Sequence, residues 1–273
     1  MTRALVLGGG GVTGVAWELG ILEGLRRAGT DLSSADTVIG TSAGSVVGTR
    51  ITTGAVADAY ADQMRPADGE LVAKIGPTTL IRLGLLLARR GEQRAKWQRV
   101  GRAALAAHPE SADARRAVIR SRIGEPAWPD RDLRITAIDV DLGELVVFDS
   151  TSGVSLVDAV AASCAVPLVW PPVVVDGTTY VDGGVRSVAN VDLVRADTVV
   201  VIAPSTQALS REHTIARQLE RTGATRSHVI SPDALAGKEM GNNVLDPAYR
   251  EASAATGLRQ GAAIADEVAA IWG

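Results

Sequence analysis

Asp36-Thr-Val-Ile-Gly-Thr-Ser-Ala-Gly-Ser-Val-Val-Gly-Thr49 sets Ser42 between Gly40 and Gly44. Val38 and Ile39 read as the end of a short buried strand, and Ser45 to Ile51 as the first turns of a helix. A strand that reverses directly into a helix forces the residue between them into a tight, sparsely allowed backbone conformation, so the residues two places either side must be small. Glycine fills both places. Such a corner lifts the Ser42 hydroxyl clear of the sheet and aims the unpaired amides of a helix N-terminus at any charge forming beside it. In a chain with 29 glycines the pattern can equally mark an ordinary strand-to-helix bend, and the surrounding sequence has to decide.

Composition narrows the field. With 273 residues, 46% hydrophobic and 22% charged, the chain can bury a substantial core and is most simply one large domain, residues 1–273. A formal net charge of −3 argues against a nucleic-acid partner, which would leave a basic excess. The lone cysteine, Cys164, excludes an internal disulfide framework and has the apolar neighbours of a core residue. Arg3 with Ala4 to Leu7 is too short for a signal-peptide core, and the uncharged run from Ala159 to Val175 is broken by Pro167, Pro171 and Pro172. The expectation is a cytoplasmic protein.

Thr2 to Leu7 reads as a first strand and Val15 to Arg27 as an amphipathic helix, with Leu19, Leu22 and Leu25 on one face and Glu18, Glu23, Arg26 and Arg27 elsewhere. Between them Gly8 to Gly14 exposes backbone amides with no side chain to block an anion. Gly9, Gly11 and Gly14 also satisfy the Gly-x-Gly-x-x-Gly fingerprint of a dinucleotide site, the main competitor. That fingerprint needs an acidic residue at the C-terminal end of the second strand. Here the strand ends in Gly40-Thr41-Ser42, whereas Asp31 and Asp36 precede it. If the two strands are parallel neighbours, the glycine loop lies beside Ser42 and its amides can stabilise an oxyanion.

From about residue 55 to 125 strand signals vanish. Eleven Lys or Arg against three acidic residues between Arg82 and Arg122 give this helical insertion a formal +8. The basic residues form either an ordinary solvated face or a surface for anionic lipid, with Arg89, Arg90, Arg94 and Arg99 the expected contacts. Strands return at Leu133 to Asp139 and Glu144 to Asp149, then a helix capped by Ser155, then a hairpin turning on Asp176-Gly177. Further on, Pro247 to Trp272 reads as one long Ala-rich helix whose small residues suit close packing or an oligomer contact.

Asp182-Gly183-Gly184 ends a strand without a second hairpin arm, and is a turn or a site. Ser42 needs a base to take its proton. His108, His213 and His228 lie in no motif-like setting; a triad drawing on one of them stays open, as does an aspartate acting alone if burial raises its pKa.

Gly9-Gly10-Gly11-Val12-Thr13-Gly14, Gly40-Thr41-Ser42-Ala43-Gly44 and Asp182-Gly183-Gly184, in that order, resemble the signature set of the patatin-like phospholipases. Ala162 to Pro167 and Tyr180 to Gly184 extend the similarity, which runs from residue 4 to about 205. The resemblance implies an α/β protein, a three-layer α/β/α sandwich with a mainly parallel sheet, carrying a Ser-Asp dyad that hydrolyses lipid acyl esters without metal or diffusible cofactor. Ser42 would be the nucleophile, Asp182 its base, and the amides of the glycine loop the oxyanion site. Thr13 departs from the Arg or Lys that many members carry there. Two other classes stay open: a non-catalytic lipid-binding protein of the same fold, and a dinucleotide-binding oxidoreductase.

Overall fold

A computed structural model describes residues 1–66, 73, 76–88, 90–108, 112–208 and 210–273. The chain runs β1 (Arg3–Leu7), α1 (Gly11–Arg27), β2 (Thr37–Gly40), α2 (Ala43–Thr53), α3 (Val56–Gln63), α4 (Pro77–Ala88), α5 (Gln93–Ala107), α6 (Asp113–Ile123), β3 (Asp132–Asp139), β4 (Glu144–Phe148), α7 (Leu156–Ser163), β5 (Val173–Val175) and β6 (Thr178–Asp182). It continues through β7 (Thr198–Ile202), α8 (Ile215–Thr222), β8 (Arg226–Ile230), α9 (Ala234–Glu239), α10 (Arg250–Ala263) and α11 (Ala265–Trp272).

Strands β3, β2, β1, β7 and β8 lie side by side in parallel, and β4, β5 and β6 add antiparallel pairings at the β3 end. Alternation along the parallel strands builds two cores. Leu5, Leu7, Val38, Val200 and Ile202 face the layer made by α1, α2, α6, α7 and α11. Ala4, Val6, Ile39, Val199 and Val201 face Ile215 and Leu219 of α8 on the other side. Helix α5 joins that second layer by packing Trp97, Val100 and Ala104 on Ile138 and Val181. The expected three-layer α/β/α sandwich with a mainly parallel sheet is thus what the chain forms.

Two helices differ from expectation. Helix α1 starts four residues early, inside the glycine loop, and is buried from Val12 to Leu25 rather than amphipathic. The sheet covers one side of it and α10 the other, where Gly20 and Gly24 lie against Gly257 and Gly261 so closely that a Cβ on any of the four would meet backbone. Glu23 is tolerated there through ion pairs with Arg26 and Arg27, while Glu18 has no cationic partner among the described residues. The C-terminal segment is not one helix: a 3-10 turn at Pro247–Tyr249 precedes α10, and the axis breaks at Ile264. The break lets α10 follow α1 while α11 turns Val268 and Trp272 into the core beside β7 and β8. The small residues of α10 serve this contact within the chain.

Candidate active site

Strand β3 is the ruler that sets the site. Ile135 pairs with Gly40 of β2 and with Phe148 of β4, so those strands occupy opposite edges of β3. Ala137 pairs with Val146 of β4 and with Asp182 of β6, which puts β6 on the β2 edge. Asp182 therefore sits two residues, about 7 Å, beyond the end of β2. The chain leaving β2 turns there into Ser42.

That turn is strained as its sequence requires. Ser42 has φ 52° and ψ −113°, a region that L-residues rarely occupy. A Cβ at Gly44 would overlap the Leu7 carbonyl, and one at Gly40 the backbone of Gly44. The amide of Ser42 donates to Ser163 Oγ (2.9 Å), Ser45 Oγ donates to the Ser42 carbonyl (2.6 Å), and the Cys164 thiol also approaches that carbonyl (3.4 Å). These contacts fix the backbone and leave the Ser42 side chain facing a cavity of about 260 Å³.

Asp182 lines the same cavity and is 4% exposed. Burial pushes its carboxyl up to about 6; the Gly184 amide, the Ser42 hydroxyl and the Arg115 charge pull the other way, in that order. The Gly184 amide donates to Asp182 Oδ1 at 2.7 Å, in the 3-10 turn that Gly183 opens. The Ser42 hydroxyl is thus close enough to Asp182 to favour its ionised form.

The glycine loop supplies fewer donors than its length suggests. The Gly8 amide is shared between the Ile202 carbonyl (2.9 Å) and Glu18 Oε1 (3.0 Å), and the Gly9 amide donates to the Val188 carbonyl (2.7 Å). Gly14 is inside α1, with its amide on the Gly10 carbonyl. Among the described residues, the amides of Gly10 and Gly11 have no acceptor, and both glycines line the cavity. Gly11 has φ 64° and packs against the Val244 carbonyl, so only glycine fits.

Three features lie beyond the residues that the sequence singled out. The Ala43 amide, first in α2, also has no acceptor among the described residues and borders the cavity; its signal was its place directly after the serine. Asn190, with φ 51°, donates from Nδ2 to Thr41 Oγ1 (3.1 Å) and the Ser187 carbonyl (3.0 Å), tying the end of β2 to the loop after Asp182. Arg115 of α6 is buried with its guanidinium 4.4 Å from the Trp170 ring, in the cavity wall. Nothing local in the sequence distinguishes it from the other arginines of the insertion.

Among the described residues, the arginines of the insertion differ in their surroundings. Arg89 lies outside the described residues; Arg90 is exposed; Arg94 is exposed but ion-paired with Glu144 of β4; Arg99 is half-buried. Arg116 is bound to Asp158 (2.6 Å) and to the Val174 carbonyl. Leu83 and Leu87 of α4 form part of the cavity wall, and Ile81 and Leu85 of the same helix are exposed.

The competing readings lose their geometry. Asp31 caps a 3-10 turn and Asp36 accepts from the Arg3 amide, both at the far end of the sheet from the glycine loop. No described residue lining the cavity is a histidine: His108 ends α5, His213 bonds Ser210, and His228 faces Glu267.

A family model described as patatin-like phospholipase matches residues 5–195, more than half of the chain and including both Ser42 and Asp182. The chain belongs to the patatin-like phospholipase family. That family comprises lipid hydrolases, and β7, β8 and the C-terminal helices of this chain lie beyond the matched stretch. Two solved structures resemble it over 97% of its length: VipD from Legionella pneumophila (12% identity, TM-score 0.45) and the type III effector protein ExoU (16% identity, TM-score 0.46). The chain spans 67% and 53% of those longer proteins. No curated protein matches it by sequence. Among the described residues, no helix of the chain is long and apolar enough to cross a membrane.

Proposed function

We propose that this chain is a serine acyl-ester hydrolase of lipids, of phospholipase A or lysophospholipase type, in which Ser42 and Asp182 form the dyad and residues 1–273 act as one unit. The observation that carries the reading is the register of β3, which brings a strained serine and a buried carboxyl of raised pKa to one cavity beside amides without acceptors.

Asp182 takes the proton as Ser42 Oγ attacks the ester carbonyl carbon, and the amides of Gly10 and Gly11, joined by that of Ala43, hold the oxyanion. The C–O bond to the alcohol then breaks, the leaving oxygen takes the proton from Asp182, and an acyl-enzyme remains. Water attacks it with Asp182 again as base, the bond from the acyl carbon to Ser42 Oγ breaks as Oγ takes the proton back from Asp182, and a fatty acid leaves. Losing one such amide typically costs about 100 to 1000-fold in turnover. The apolar wall from Leu83, Leu87, Val185 and Leu245 suits an acyl chain.

A cytoplasmic enzyme that docks peripherally on membranes goes with this reading. Exposed Ile81 and Leu85 on α4, flanked by exposed Arg82 and Arg90, support docking at an anionic lipid surface. The test of the chemistry is labelling by a fluorophosphonate probe. Wild type is expected to label and Ser42→Ala not to; labelling that persists in Ser42→Ala would overturn the dyad.

A further inference from the structure

Arg115 is 8% exposed, and its Nε has no hydrogen-bond acceptor among the described residues. No described carboxylate forms a salt bridge with it. Its flat face is covered by Trp170, while Cys164, Asp182 and Arg122 are the ionisable groups that act on it. Burial pulls its pKa down, the mark of a cation short of compensation. A buried charge of this kind is costly unless paired, and an indole face offsets that cost only in part. The one carboxylate near it, Asp182, is the group that must take a proton during turnover. Thr13 brings no charge to the glycine loop, so the positive charge in the wall of this cavity comes from the insertion, through Arg115 and Arg122.

We propose that Arg115 is a specificity-determining residue that binds a phosphate group carried by the ester substrate, so that the cavity selects phosphate-bearing acyl esters over neutral glycerides. The assignment to a substrate rests on the hydrolase reading above. The planar guanidinium stacks on Trp170 and keeps its edge for a phosphate, a two-pronged contact that an ammonium cannot copy. Because the attacking step neutralises Asp182, the substrate phosphate becomes the counter-charge of Arg115 as the oxyanion forms.

The test pairs molecules that differ only in phosphate. Octyl phosphate and 1-octanol are titrated calorimetrically into wild type, Arg115→Met and Arg115→Lys, each checked for folding by circular dichroism. Turnover of mono-oleoylglycerol 3-phosphate and of mono-oleoylglycerol is then compared in the same proteins. Arg115→Met is expected to weaken octyl phosphate binding by about 10 to 100-fold, with 1-octanol as control, and to lower the phosphate-to-neutral ratio of kcat/KM by a similar factor. Arg115→Lys should retain part of both. Removing an unpaired buried charge should leave the melting temperature of Arg115→Met unchanged or higher, whereas an arginine that only clamps α6 to Trp170 would lower it. Equal octyl phosphate binding by folded wild type and either variant overturns the proposal. Weakened binding in proteins that cleave neither ester would sustain the phosphate site and overturn the hydrolase reading instead.

Discussion

Replacing Asp182 with Asn should abolish turnover and stabilise the fold, and the size of the gain follows from the burial of the carboxyl. Asp182 is 4% exposed and is pushed up to about 6 from an ordinary 3.8. At about 1.36 kcal/mol for each pH unit, carrying the ionised form inside the protein costs roughly 3 kcal/mol at pH 8. Asn keeps an oxygen to accept from the Gly184 amide and carries no charge, so most of that cost disappears. The value of about 6 already includes the opposing pull of Arg115, so the net gain is about 1–3 kcal/mol once the poorer fit of an amide in place of the carboxyl is counted.

The sign is fixed by linkage. Well below the ordinary 3.8 the carboxyl is protonated in both folded and unfolded chains, so the favourable effect of burying it neutral is fully present, and even at pH 4 wild type and Asp182→Asn should melt nearly together. Between about pH 4 and pH 6 the unfolded chain has given up the proton that the folded chain keeps, so wild type falls behind the variant, and the gap levels off above 6. For a chain of this length the plateau difference is on the order of 3–10 °C. Melting followed by circular dichroism between pH 4 and pH 8 reads it directly. A variant less stable than wild type at pH 8, or a difference that does not change with pH, would refute the account of Asp182 as a carboxyl raised by burial.

The same carboxyl predicts that kcat/KM on a neutral ester falls about tenfold per pH unit below 6, where the base is protonated; a profile flat to pH 4.5 would remove Asp182 from that role. Gly44→Ala should destabilise by more than about 3 kcal/mol or prevent folding, because its methyl would occupy the Leu7 carbonyl, and unchanged thermal melting would contradict the tight corner. Glu18 is fully buried with its pKa raised well above the ordinary value, and it accepts from the Gly8 amide, so Glu18→Gln should melt like wild type. Glu18→Ala should lose about 1–3 kcal/mol and slow turnover by loosening the glycine loop; equal effects of the two substitutions would sink this role.

What the sequence made legible was local. The two glycines flanking Ser42, the Asp176-Gly177 turn and the Ser155 cap each state their geometry within a few residues, and each forms as read: Ser42 at positive φ, Asp176 and Gly177 at φ 47° and 80°, and the Ser155 side chain accepting from the Asp158 amide. What depends on distant partners could not be read. Glu18 looked like an outward residue because nothing near it in the helix announces that its carboxyl will turn to the Gly8 amide at the end of β1. The break at Ile264 carries no proline or glycine, and follows from two different surfaces claiming the two halves of the segment. Arg115 is one of eleven basic residues in its stretch, and only the fold separates it from Arg94, which pairs with Glu144, and Arg116, which pairs with Asp158.

The position of Asp182 is a matter of register, and register ties the base to the insertion. A slip of one residue between β3 and β6 would turn every side chain of β6 to the opposite face and carry the carboxyl out of the cavity. The tight turn at Asp176-Gly177 holds one end of β6, and the Asp182 amide, donating to the Ala165 carbonyl at 3.0 Å, holds the other. Between them Val181 is fully buried under Trp97, Val100 and Ala104 of α5. A slipped β6 would put Tyr180, with its hydroxyl, or the Asp182 carboxylate into that apolar contact, so α5 favours the one register in which Asp182 reaches the cavity that Ser42 lines. The basic insertion therefore contributes to the cavity twice over: α6 and α4 line it with Arg115, Leu83 and Leu87, and α5 packs on the strand that carries Asp182, the proposed base.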